Sequence, residues 1–243
     1  MSMYPNPYGS VRPGPLDYES SANSVTLARF FNAVYGWMAA GLALTGVVAW
    51  WVFAHWAIVG QYLTGPMVIG LFIAQIVLVM VVGSAVNRIG PAAATAMFLL
   101  YAGLNGLTLS VIFLIYAKEA IAGAFVASAA TFGAMSLYGY VTRRDLTQFR
   151  SFLFMGLIGL VIASFVSIFW HNTMLMVIIN YVGVFLFLGL TAYDTQRLRA
   201  IAIATSGNVR MSERYAIVGA LTLYLDFINL FIFLLRILGD RRR

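Results

Sequence analysis

The 243-residue chain has no cysteine, one lysine and two histidines, and only 9% of its residues are charged. Without cysteine there is no disulfide, no thiolate nucleophile and no zinc ribbon. Soluble domains carry about 25% charged residues, so this chain cannot build a water-facing surface. Hydrophobic residues make up 62% of it, and the mean hydropathy is +0.89. Disordered, collagenous, disulfide-stapled and soluble globular classes are excluded, which leaves an all-α, polytopic membrane protein.

The 15 basic and 8 acidic residues give a net charge of +7, a value that in a soluble protein would suggest nucleic acid. Here the bases fall between apolar runs, where Lys and Arg set topology against an anionic leaflet, so membrane lipids are the expected partner and nucleic acid is not. Residues Met1 to Ala28 are polar and rich in Pro, Ser, Tyr and Asn, and are expected to form a flexible tail. They lack the basic and apolar regions of a signal peptide, so no cleavage is expected. Residues 29–243 are expected to form a seven-helix transmembrane domain.

Seven stretches reach the roughly 20 apolar residues needed to cross the hydrocarbon core. They are Phe30–Trp56, Pro66–Val86, Pro91–Tyr116, Ala120–Val141, Ser151–Trp170, Met174–Tyr193 and Tyr215–Leu238. Trp50, Trp51, Trp56 and Trp170 fall near span ends, as interfacial anchors do. Small-residue pairs, Gly103 with Gly106 and Gly156 with Gly159, predict close helix packing. There is no repeat of the kind that marks many secondary transporters.

With seven crossings, the N-terminal side collects Arg12, Arg29, Arg88, Arg143, Arg144, Arg150, Arg197, Arg199, Arg210 and Arg214, and the far side Lys118 and Arg241 to Arg243. Ten bases against four predict a cytoplasmic N-terminus. The basic C-terminal run dissents, and would lie inside if the last stretch were re-entrant. Its length favours a full crossing.

Topology accounts for nearly every charge except two acids. Asp226 sits in the middle of the seventh span, ten residues from Arg236, its nearest base in sequence. A carboxylate at that depth costs about 2.5–3.5 kcal/mol on insertion scales, so a polar partner or a proton is expected. Asp194 lies near the end of the sixth span with Arg197 at i+3, which offers it a local ion pair. If Leu198–Ala204 continues the sixth helix, the hairpin of spans six and seven places both carboxyls at similar depth, facing each other. Two carboxylates at close range cannot both ionise cheaply, so the pair would titrate as a unit and be proton-sensitive. Such oxygen ligands also suit a hard cation such as Ca²⁺. Arg88, alone in a short connection on the same side, either serves topology or latches an ionised carboxylate. His55 and His171 lie at the far interface in different loops, without the spacing of a metal site.

Four runs resemble the Bax inhibitor-1 family, and its bacterial inner-membrane members most: YAGLNGLTLSVIF (Tyr101–Phe113), MSLYGYVTRRDL (Met135–Leu146), TAYDTQRLR (Thr191–Arg199) and ALTLYLDFINLFIFLLRILG (Ala220–Gly239). The resemblance extends from about Phe30 to the C-terminus. It implies seven helices with the last one central and wrapped by the other six. It also implies a pH-sensitive Ca²⁺ leak across the cytoplasmic membrane, sensed by an aspartate pair that corresponds to Asp194 and Asp226, with Arg88 as the latch.

The expected function is therefore a proton-gated Ca²⁺ leak, or a slow Ca²⁺/H⁺-coupled pathway, with Ca²⁺ as cargo and no resident cofactor. Thr222, Asn229 and Asn105 are the nearby candidates for a polar lining. A second reading is a regulatory protein acting on a membrane protease or on stress survival, with the tail Ser2–Ser24 as its handle. An enzyme is not expected, because no nucleophile with a base and no metal-ligand cluster is present. Leu225 and Phe227 around Asp226 do not make the GxGD motif of intramembrane aspartyl proteases, and the seventh span lacks the lysine of a retinal pump.

Overall fold

A computed structural model describes residues 15–85, 90–170 and 172–239. Seven long helices carry the fold: α1 Pro15–Ala54, α2 Gly65–Ala85, α3 Pro91–Leu109, α4 Lys118–Val141, α5 Arg150–Phe169, α6 Thr173–Ala204 and α7 Val209–Leu238. Short helical pieces at Trp56–Val59, Ile112–Ile115 and Leu146–Phe149 flank them. All seven are long and apolar enough to cross a membrane, including the last. Of the polar N-terminal stretch, residues 1–14 lie outside the described residues, and α1 begins at Pro15. The basic tail Arg241–Arg243 and His171 also lie outside them.

Local chemistry sets the helix ends. Pro91 opens α3, where its missing N–H is no loss. The Asn172 side chain accepts from the amides of Met174 (2.8 Å) and Leu175 (3.2 Å) at the start of α6. Asn208 does the same for Met211 at the start of α7, at 3.0 Å. Asp145 caps the turn before α5, and bonds from the Thr147 side chain and amide hold its carboxyl below the usual range.

The last helix is the centre. In its most apolar stretch 67% is buried, against 11% for α2 and α5. Its main neighbours are α6, α1, α4 and α3, while α2 rests on α3 and α5 on α6. The resemblance implied wrapping by all six helices; the packing instead makes an inner ring of four with two outriggers facing lipid. A lipid-facing helix is necessarily apolar all round, and the exposed Phe72, Ile76, Met80, Phe154, Met155 and Phe165 show this on α2 and α5.

Backbones approach closely where small residues allow it. A Cβ placed on Gly139 of α4 would lie 2.2 Å from the Ala192 carbonyl oxygen of α6. Gly106 of α3 packs against Val48 and the Thr45 carbonyl of α1, and Gly156 of α5 against Leu186 of α6. Gly103 and Gly159, their expected partners in close packing, face open space. One glycine of each pair packs as predicted.

A candidate aspartate-pair site at the centre of the bundle

The helix α6 does continue to Ala204, leaving only Thr205 to Asn208 as the turn into α7. Asp194 therefore lies ten residues, or about 15 Å at 1.5 Å per residue, from the end of its helix. Antiparallel pairings along the hairpin set the register. The Phe233 ring meets Gly183, and the Leu198 side chain meets Gly219. Between these contacts, the carboxyls of Asp194 and Asp226 come within hydrogen-bonding reach of each other.

Both side chains are buried, Asp194 9% and Asp226 5% exposed. A hydrogen bond between two carboxyl groups requires a proton on one of them, since an ionised carboxylate only accepts. The Oδ2 atom of Asp226 is enclosed and finds no donor. Arg197, one turn along α6, is the cation that acts on Asp194. Arg88, the expected latch, lies outside the described residues.

The run Thr191–Arg199 assigns each polar side chain to a different neighbour. Thr191 donates to the Phe187 carbonyl and Thr195 to that of Thr191, both at 2.7 Å. The Thr195 hydroxyl also meets Ser136 of α4 at 3.0 Å, and Ser136 bonds the Tyr35 hydroxyl of α1. Gln196 accepts from the Leu146 amide and donates to the Arg144 carbonyl, both at 2.8 Å, which docks the connection before α5 onto α6. Arg199 donates to the Tyr140 carbonyl at 3.1 Å. Asp194 is left to face α7.

A second buried polar cluster occupies the other side of α7, and sequence reasoning did not find its centre. Tyr224 is fully buried and accepts from Asn105 Nδ2 at 2.8 Å. Its hydroxyl lies 2.6 Å from that of Thr45, which itself points at the Gly41 and Ala102 carbonyls, so Tyr224 donates to Thr45. Gln75 of α2 reaches Thr108 of α3 at 3.3 Å, and Thr108 donates to the Asn105 carbonyl at 2.9 Å. The signal available in sequence was Tyr224 itself, a polar-tipped residue two places from Asp226 and about 200° round the helix from it.

The expected polar lining takes a different form. Thr222 donates to Val218 at 3.1 Å and Asn229 to Leu225 at 2.8 Å, each on its own helix, while Asn105 is committed to Tyr224. Ca²⁺ takes six to eight oxygen ligands. Among the described residues no third acid joins the aspartates, and the neighbouring threonine hydroxyls are turned to carbonyls. The arrangement suits a shared proton and a passing contact with a cation rather than a closed metal cage. His55 stacks on Trp51 and bonds its carbonyl at 2.9 Å, an interfacial contact.

The four runs singled out in the sequence meet around α7: Asn105, Ser136 with Gly139, Thr191 to Arg199, and Tyr224 with Asp226. Residues 27–243 match the family model described as "Inhibitor of apoptosis-promoting Bax1". The chain is 48% identical over 221 residues to "Inner membrane protein YbhL" of Escherichia coli (strain K12), covering 89% of this chain and 93% of that one. It is 42% identical over 217 residues to "Uncharacterized protein RP147" of Rickettsia prowazekii, covering 89% and 91%. An uncharacterised protein of Caulobacter vibrioides is 37% identical over 243 residues, covering 96% and 97%. A family match over residues 27–243, which take in all seven candidate membrane spans but the first few residues of the first, makes this seven-helix membrane protein a member of the Bax inhibitor-1 family.

Proposed function

We propose that the protein is a proton-gated leak pathway for Ca²⁺ in a bacterial cytoplasmic membrane, with its N-terminus in the cytoplasm. The single observation that carries this is the contact between two buried carboxyls, Asp194 on α6 and Asp226 on α7. Their shared proton ties the two helices together. Losing it leaves two negative charges side by side in a low-dielectric interior, and the α6–α7 interface must then open, hydrate or recruit a cation. Ca²⁺ is the cargo and supplies the counter-charge in passing. Arg88 is assigned the competing role of pairing with an ionised carboxylate. The protein does no covalent chemistry in this scheme; it binds and releases protons. The relative named an inner membrane protein supports the location.

The test is Ca²⁺ flux into proteoliposomes as a function of pH. Asn at either position is isosteric with a protonated acid and can still donate to the remaining carboxylate, so the fold should survive. Asp226→Asn and Asp194→Asn are expected to flatten the pH profile that the wild-type protein shows. A variant whose profile matches that of the wild type overturns the sensor role.

A further inference from the structure

The helices α1 and α4 both lean on α7, and a seam runs between them. Its half nearer the N-terminal side holds a cavity of about 460 Å³. The other half, nearer Lys118, holds a cavity of about 400 Å³ walled by Gly46 and Ala49 of α1, Phe113, Phe125 of α4, and Phe227 and Phe231 of α7. At about 30 Å³ per water-sized group, 400 Å³ takes roughly a dozen methylenes.

This second cavity is unsuited to water. The Thr45 hydroxyl is its one uncharged polar side chain, and that group is already committed to Gly41, Ala102 and Tyr224. Yet a full positive charge stands at its edge. Lys118, the only lysine in the chain, also lines the cavity, and its ammonium lies 4.8 Å from the centre of the Trp50 ring. Trp50 in turn packs against Phe113 of the cavity wall, at 5.8 Å. Glu119, the neighbouring residue, is exposed and does not line the cavity.

An apolar slot with one cation and an interfacial tryptophan at its rim calls for a ligand with an apolar body and an anionic head. We propose that this seam is a binding site for one anionic phospholipid, with an acyl chain in the cavity and its phosphate on Lys118. The deep end of that chain would touch Phe227, next to Asp226, so lipid occupancy bears directly on the packing of α7. The site stands independently of the ion pathway.

Native mass spectrometry of the full chain, released from a mixture of phosphatidylglycerol and phosphatidylcholine, tests it. Wild type is expected to retain one phosphatidylglycerol. Lys118→Ala should lower that retention about fivefold, the effect of one base near a charged surface, and Lys118→Arg should restore it. A Cβ placed on Gly46 would meet no atom within 4 Å, so Gly46→Leu has room to start into the cavity; its four carbons take about a third of the dozen-methylene space and should lower the retention of lipid of either headgroup. Quenching of Trp50 emission by brominated acyl chains, in a chain whose other tryptophans are Phe, should fall in the same variant. Equal retention of the two lipids by wild type, or retention and quenching unchanged by Gly46→Leu, overturns the proposal.

Discussion

Tyr224 and Asp226 are two residues apart, and each is buried against a different partner. A helix advances about 100° per residue, so the two side chains leave α7 on nearly opposite sides. Tyr224 meets Asn105 and Thr45, and Asp226 meets Asp194. Only a helix enclosed on both sides can hide polar groups in both directions. Tyr224→Phe keeps the ring but removes an acceptor for Asn105 and a donor for Thr45. Hydrogen bonds between membrane helices average about 0.6 kcal/mol and reach about 1.7 kcal/mol, so a loss of about 1 kcal/mol is expected for this doubly bonded hydroxyl. Reversible unfolding in mixed detergent measures it. An unchanged midpoint would mean that water or a neighbour replaces the hydroxyl.

Between elements, α4 approaches α6 closely where Gly139 lies against Ala192, two residues from Asp194. Membrane helices gain little from hydrophobicity in associating with one another, so they depend on close backbone approach and on interhelical hydrogen bonds. Both occur here: Gly139 admits the approach, and Ser136 with Thr195 adds a bond one turn away. Gly139→Ala places a carbon 2.2 Å from a backbone oxygen that cannot rotate aside. Overpacking costs about 1–3 kcal/mol, and that range is expected as a lower unfolding midpoint in detergent. Gly159→Ala, in open space on α5, is the matched control and should be neutral or slightly stabilising. Equal effects from the two substitutions would show that the α4–α6 approach does not limit stability.

At the scale of the whole molecule, the absence of cysteine turns orientation into a simple measurement. Gln61 and Ser206 are exposed in connections at opposite ends of the bundle. With a cytoplasmic N-terminus, Gln61→Cys should react with an impermeant maleimide in intact cells, and Ser206→Cys only after permeabilisation. The reverse pattern would invert the proposed topology. Two outrigger helices, α2 and α5, face lipid around an inner ring, so their substitutions by other apolar residues should be the most tolerated in the chain.

The sequence alone determined that this chain has seven stretches long and apolar enough to cross a membrane, because apolar length and scarce charge are properties of the sequence whatever the packing. It also marked Asp226, since a carboxylate in the middle of an apolar span is costly wherever that span ends up. The meeting with Asp194 was legible only conditionally, through helix continuation to Ala204, which the run of Ile and Ala permits but does not force. What tertiary structure alone decided is which face of each helix looks inward. Most of the helices, α1 to α4 and α6, are apolar nearly all round, so in them no stripe of hydrophobic residues separates a buried side from a lipid-facing one. Hence Tyr224, Gly139 and the seam beside Lys118, whose roles depend on neighbours distant in sequence, emerged only once the helices were packed.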